Sequence, residues 1–192
     1  MQSVTVSSRP VQVFIDVPNV MRGAQRPRIY WPELCRHIEA HLLPGEYIHR
    51  STAYTLSHGR VNNDSALYAD ILADLSKQEL TLNGHVLERK DCGREKDVDL
   101  HLLNDIWHSL VYFARAGYPR VRHILVSGDS DFMMAYRDAT HELTSFRVEL
   151  DVYTWSYKHA ADCFKNIPHR VVHLDTIPNL IDLTTARLFA KS

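Results

Sequence analysis

The segment Ser127-Gly128-Asp129-Ser130-Asp131-Phe132 sets two carboxylates directly after an apolar run, His123-Ile124-Leu125-Val126. Helix-compatible residues follow it, Phe132-Met133-Met134-Ala135-Tyr136. The pattern predicts a buried strand, a tight turn and a helix. Two acids at the carboxyl end of a strand suit a divalent cation. Their oxygen ligands favour Mg²⁺ or Mn²⁺, ions that usually bring phosphates with them. The ordinary alternative is a helix cap, with Asp129 or Ser130 accepting backbone N–H bonds. Asp16 closes a second strand-like run, and Asp97 and Asp99 open the longest helical pattern. These acids have ordinary uses too: a cap for the loop before Pro18, or a complement to a helix dipole. Gathered in one pocket they would repel one another, so a shared site makes sense mainly with a bound cation.

The elements that would position these acids alternate. Val11–Ile15 reads as a strand ending at Asp16, stopped by Pro18. A helix is expected from Pro32 to about Leu42, a second strand over Tyr47–Leu56, and a helix over Ser65–Lys77 behind Asn62-Asn63-Asp64. A third strand is expected at His85–Glu88, then a polar loop from Arg89 to Glu95. The long helix runs from Asp97 to Ala116, with Leu102, Leu103, Ile106, Leu110 and Phe113 spaced at three and four. After the fourth strand and SGDSDF come a fifth strand within Phe146–Tyr153 and a short helix near His159–Phe164. A sixth strand, Arg170–His173, and a last helix close the pattern. Alternating strands and helices imply a mainly parallel sheet covered on both faces, an α/β/α sandwich. In such sheets ligands bind beyond the carboxyl ends of the strands, where Asp16 and Asp129 both fall.

At 192 residues the chain is expected to form a single domain over 1–192, with its core over about 11–173 and a C-terminal helix over about 178–190. The formal net charge of -1 excludes binding to nucleic acid through overall charge, so any such binding needs a local patch. Cys35, Cys92 and Cys163 are odd in number and form no CxxC pair, which disfavours structural zinc and a disulfide framework and suits a reducing cytoplasm. The start, MQSVTVSSRPVQV, lacks the apolar core of a signal peptide. No apolar run approaches the roughly 18 residues of a membrane helix, so no membrane association is expected.

Four motifs stand in order. Phe14-Ile15-Asp16-Val17-Pro18-Asn19 has an Asp followed three residues later by Asn. Lys96-Asp97-Val98-Asp99 is a Lys-x-Val-Asp pattern with Asp105 six residues on. SGDSDF is the third, and Ala161-Asp162-Cys163-Phe164 a weaker late signal. Together they resemble the NYN family, PIN-like domains that include the LabA-like bacterial proteins. The resemblance covers Val11 to Val172, nearly the whole chain. It implies a PIN-like, Rossmann-like sandwich and a metal-dependent ribonuclease. It further implies that Asp16, Asp99 and Asp129 form the core of an Mg²⁺ or Mn²⁺ site, with Asp131 supporting them directly or through water. These four are the expected catalytic and metal-ligating residues, and Asn19 is expected to orient Asp16 or touch phosphate. The chain departs from the family at Val17-Pro18, where many members have a small residue and an acid, and at Asp97, where glycine is common. Asp97 reads as a surface acid, or else as a fifth ligand.

Phosphodiester hydrolysis of this kind needs no covalent nucleophile, so Ser127 and Ser130 read as turn and cap residues. Lys96 is either a phosphate contact or a solvated surface lysine. Arg22, Arg26 and Arg28 follow the first strand, Lys90 and Arg94 precede the acidic helix, and Lys158 and Lys165 come later. Arg22, Arg94, Lys96 and Asn19 are the expected substrate contacts, able to hold phosphate without reading sequence. Tyr30, Trp31, Trp155 and Tyr157 either stack on unpaired bases or pack inside. The expected partner is therefore RNA in single-stranded form, and a homodimer is left open. His37 and His41 have two-His spacing, but no Glu follows His37, and they read as surface residues. Competing functions are a non-catalytic module binding RNA or protein and a DNA-directed nuclease using the same acids. A phosphatase with an aspartyl nucleophile would want Asp-x-Asp where the chain has Asp16-Val17-Pro18.

Overall fold

The computed structural model describes residues 8–23, 28–56, 80–93, 95–143, 146–156 and 169–182. β1 (Arg9–Asp16), α1 (Val17–Gly23), β2 (Arg28–Ile29) and α2 (Trp31–Ala40) come first. β3 (Glu46–Leu56), β4 (Thr81–Leu82), β5 (His85–Val86) and β6 (Glu88–Cys92) follow, then α3 (Glu95–Arg115) and β7 (Arg120–Val126). α4 (Met133–Glu142), β8 (Arg147–Thr154), β9 (His169–His173), a 3₁₀ turn (Leu174–Thr176) and β10 (Ile181–Asp182) complete the described chain.

Six strands form one sheet in the order β6-β3-β1-β7-β8-β9, every neighbouring pair parallel. Counted along the chain, that order is third, second, first, fourth, fifth, sixth: a doubly wound sheet whose direction of travel reverses between β1 and β7. The side-chain alternation of β1 feeds two cores. Val13 and Ile15 pack with Val17 and Val20 of α1 and with Leu34 and Ile38 of α2. Phe14 points the other way, among Val98, Leu102 and Ile106 of α3 and Tyr136 of α4. Helices thus cover both faces, and the architecture is a three-layer α/β/α, Rossmann-like sandwich, as the alternating pattern predicts. The spacing of Val98, Leu102, Ile106, Leu110 and Phe113 gives α3 one fully buried stripe.

Four local expectations change. Arg89–Cys92, expected in a polar loop, instead forms with Glu88 the edge strand of the sheet, paired along Thr52–Leu56. Its charges are compatible with that place because one side of an edge strand faces water. His85–Val86 pairs instead with β4 in a hairpin whose turn residues, Asn83 and Gly84, both have positive φ, as an Asn-Gly turn allows. Val17–Gly23 is helical straight after Asp16. The expected C-terminal helix does not begin near 178: Ile181–Asp182 is a strand, antiparallel to β2. The expected helices over 65–77 and 159–164, and residues 183–190, lie outside the described residues. Among the described residues no helix is long and apolar enough to cross a membrane.

Candidate active site

Because connections leave β1 and β7 in opposite directions, a crevice opens beyond their carboxyl ends. Asp16 is the last residue of β1, and Ser127-Gly128-Asp129 follows β7. Asp16 is only 2% exposed. Its Oδ1 accepts the Asn19 N–H at 3.0 Å, and its Oδ2 accepts the Ser127 hydroxyl at 2.9 Å. The first bond makes Asp16 the N-cap of α1. Pro18 fits in that first turn, where its missing N–H is not needed. Asn19 Oδ1 accepts the Gly128 N–H at 2.9 Å, so one asparagine ties the β1 and β7 loops together. Ser127 Oγ also accepts the Asp129 N–H at 3.1 Å. Asp129 Oδ1 accepts the Asp131 N–H at 3.0 Å, an Asx-type turn. α4 starts behind Phe132 with no side-chain cap, so neither Asp129 nor Ser130 is its cap.

The electrostatics single out Asp16. Burial raises its pKa to about 6, with Asp99 and Asp129 adding to the rise and the Asn19 N–H and Ser127 hydroxyl opposing it. Asp99 and Asp129 therefore both lie within electrostatic reach of Asp16. Asp99, just past the first turn of α3, is half-buried, held there because the adjacent Val98 is anchored in the core. Asp105, further along the same helix, belongs elsewhere. It accepts the Tyr54 hydroxyl at 2.7 Å and Lys90 Nζ at 2.8 Å. Burial pushes Asp105 up, and those two bonds more than reverse it, leaving it below the usual carboxylate range.

Asp131 is exposed and joins the loop through its backbone. Arg22 and Lys96 sit on α1 and α3, with side chains outside the described residues. Arg26, Arg94, Tyr157, Lys158, Asp162 and Lys165 lie outside them altogether. Lys90 is engaged by Asp105 rather than presented to a substrate. Trp31 and Trp155 are core residues, the Trp155 indole N–H donating to the Val20 carbonyl at 3.0 Å, so neither is a stacking platform. Tyr30 is exposed. Asp97 lies beside Gly93, its Oδ2 3.2 Å from where a Cβ would stand. His37 and His41 are half-buried rather than surface residues, their rings 4.2 Å apart. Sequence reasoning missed Ser127. It is fully buried and orients Asp16, not merely a turn residue. The available signal was a hydroxyl at the end of an apolar strand facing a second strand that ends in an acid.

Among the described residues no group of three or more His, Cys, Asp or Glu side chains is arranged to hold a metal ion. The donor chemistry at the crevice nevertheless fits one. The candidate donors are all carboxylate oxygens, and each oxygen of Asp16 keeps a lone pair after its hydrogen bond. A cation there would relieve the burial and repulsion that raise the Asp16 pKa.

No family model and no curated protein matches the chain. A crystal structure of a protein of unknown function from Vibrio parahaemolyticus is similar, with a TM-score of 0.51 and 20% identity over 91% of this chain and 98% of that one. At that identity the likeness concerns the fold alone.

Proposed function

We propose that the protein is a metal-dependent ribonuclease of the NYN, PIN-like type, hydrolysing RNA phosphodiester bonds beyond the carboxyl ends of β1 and β7. One observation carries the reading: a carboxylate at the switch point whose pKa is raised by its burial and further by two acids from other segments of the chain, and which is held by neutral donors. Perturbed carboxylates in a crevice are a mark of functional sites. Asp16, Asp99 and Asp129 would hold one or two Mg²⁺ or Mn²⁺ ions, with Asp131 at the rim. Bound there, a divalent cation supplies a more acidic water and neutralises charge on the scissile phosphate. Ser127 and Asn19 keep Asp16 in one orientation and join the two loops that flank the substrate. Arg22, Arg94 and Lys96 would contact phosphates. The free, buried Cys35 and Cys92 suit work in a reducing cytoplasm.

Cleavage of end-labelled single-stranded RNA and matched DNA, in Mn²⁺, Mg²⁺ or EDTA, tests the reading. Metal-dependent RNA cutting that vanishes in Asp129→Asn is the expected result; cutting unchanged in that variant would exclude the site. The absence of a ready three-acid group among the described residues favours one second reading, a non-catalytic module binding RNA or protein. Binding of RNA with no cutting in any metal would select it.

A further inference from the structure

We infer that a second cleft, further along α3 from the acid cluster, binds a nucleotide, with the base inside and the phosphate at the rim. The cleft lies between α3 and the face formed by β1 and β3, and has a volume of about 250 Å³. Ligand pockets usually run from about 300 to 1,000 Å³, so this one suits a ligand no larger than a nucleotide.

A backbone irregularity builds it. β1 pairs with β3 through Val11 opposite Ile48, then resumes with Gln12 opposite Arg50, which leaves His49 as an extra residue. Regular alternation would send His49 and Arg50 to opposite faces. The bulge instead lets both line the cleft, and re-aiming side chains is a common use of bulges near sites.

The floor is chemically specific. Gln12 is 6% exposed and lines the cleft. Its amide can both donate and accept, so a ligand edge that does both is complementary to it. Phe14 forms an apolar wall, and the Tyr112 ring, 55% exposed, stands at the mouth beside His49. A flat heteroaromatic ring with a mixed donor and acceptor edge matches this set, which is how extracted bases are held and read. Arg50 and His108 line the rim where a phosphate would sit. Arg50 pairs with Glu88, both exposed, and such pairs exchange partners at little cost.

Gln12 is four residues upstream of Asp16, about 13 Å along the strand, so one RNA strand can reach both places. The inference deepens the nuclease reading by naming a base subsite. It rests on that reading only for the source of the nucleotide, an RNA strand rather than a free mononucleotide.

The test is calorimetric titration of the full chain in EDTA with each nucleoside 5′-monophosphate, ribose 5-phosphate and a short single-stranded oligoribonucleotide. The wild type is compared with Tyr112→Ala and Gln12→Leu. Binding of a mononucleotide or the oligonucleotide, but not of ribose phosphate, weakened about tenfold in each variant, is expected. A mononucleotide that binds alone marks a free ligand, and binding of the oligonucleotide only marks a strand; both uphold the cleft. No binding of either, or binding indifferent to both substitutions, overturns it. Without metal there is no turnover, so failure here leaves the cleavage assay untouched, and failure of cleavage leaves this titration interpretable.

Discussion

β1 and β7 begin and end in opposite electrostatic surroundings. At their amino ends, Arg9, Arg122 and Arg170 meet Glu46, Glu149 and Asp151. Arg122 is 4% exposed, yet it reaches Glu46 at 2.6 Å, Asp151 and the His41 carbonyl. Arg9 joins Glu46 and Glu149, and Arg170 closes on Asp151 at 2.6 Å. At their carboxyl ends, on the other face of the sheet, Asp16 is buried beside acids and steadied by an N–H and a hydroxyl. The first arrangement returns in Coulomb energy and hydrogen bonds what burial costs; the second leaves its charge uncompensated. A matched buried network holds parallel strands in place. A mismatched one is a cost that a ligand can remove, and that difference points to the carboxyl edge as the working end.

Breaking the matched end should have the largest effect. Arg122→Met leaves Glu46 and Asp151 buried with fewer partners, and an expected loss of about 3–5 kcal/mol should appear in urea unfolding. A loss under about 1 kcal/mol would mean that Arg9 and Arg170 alone balance the acids.

His123, midway along β7, is a buried titratable group at neither end. It lies against Phe14, between the Ser109 hydroxyl at 3.0 Å and the Tyr136 hydroxyl at 3.2 Å, and burial lowers its pKa to about 3. The folded protein keeps it neutral, whereas the unfolded chain takes up a proton near 6.5. Its share of stability is therefore full above pH 6.5 and falls as pH drops toward 3. Between pH 6.5 and 5 the wild type should lose about 2 kcal/mol more than His123→Gln. Equal slopes in the two proteins would show that the ring is hydrated.

Asp16→Asn probes the mismatched end. The amide oxygen can keep the Asn19 bond, and the Ser127 hydroxyl can turn to accept from the amide nitrogen. In EDTA the variant should be about 1 kcal/mol more stable than the wild type, because a buried charge facing like charges is gone. Destabilisation on the scale of Arg122→Met would make the acid cluster as structural as the arginine network. The smallest effect belongs to an ordinary surface pair: Glu88→Gln, opposite Arg50, should change stability by under about 0.5 kcal/mol.

The layer architecture was readable because apolar spacing in β7 and α3 is set within each element. The edge strand Glu88–Cys92 was not, because its charges read as a loop until β3 supplies a partner. α1 was hidden because Pro18 reads as a stop, although Asp16 caps the helix that follows. For the acids, types and strand-end positions were legible, while the orienting roles of Ser127 and Asn19 depend on contacts more than 100 residues apart.

Local order along the chain decided that strands and helices alternate, that the sheet is parallel and doubly covered, and that Asp16 and Asp129 stand at strand ends. These follow from side-chain periodicity, which involves only near neighbours. Tertiary structure alone decided which acids meet. α3 crosses from the edge strand β6 back to β7 at the centre. That path brings Asp99 within electrostatic reach of Asp16, and gives Asp105 to Tyr54 and Lys90. No spacing within α3 distinguishes the two aspartates, because the distinction lies in what the helix is laid against.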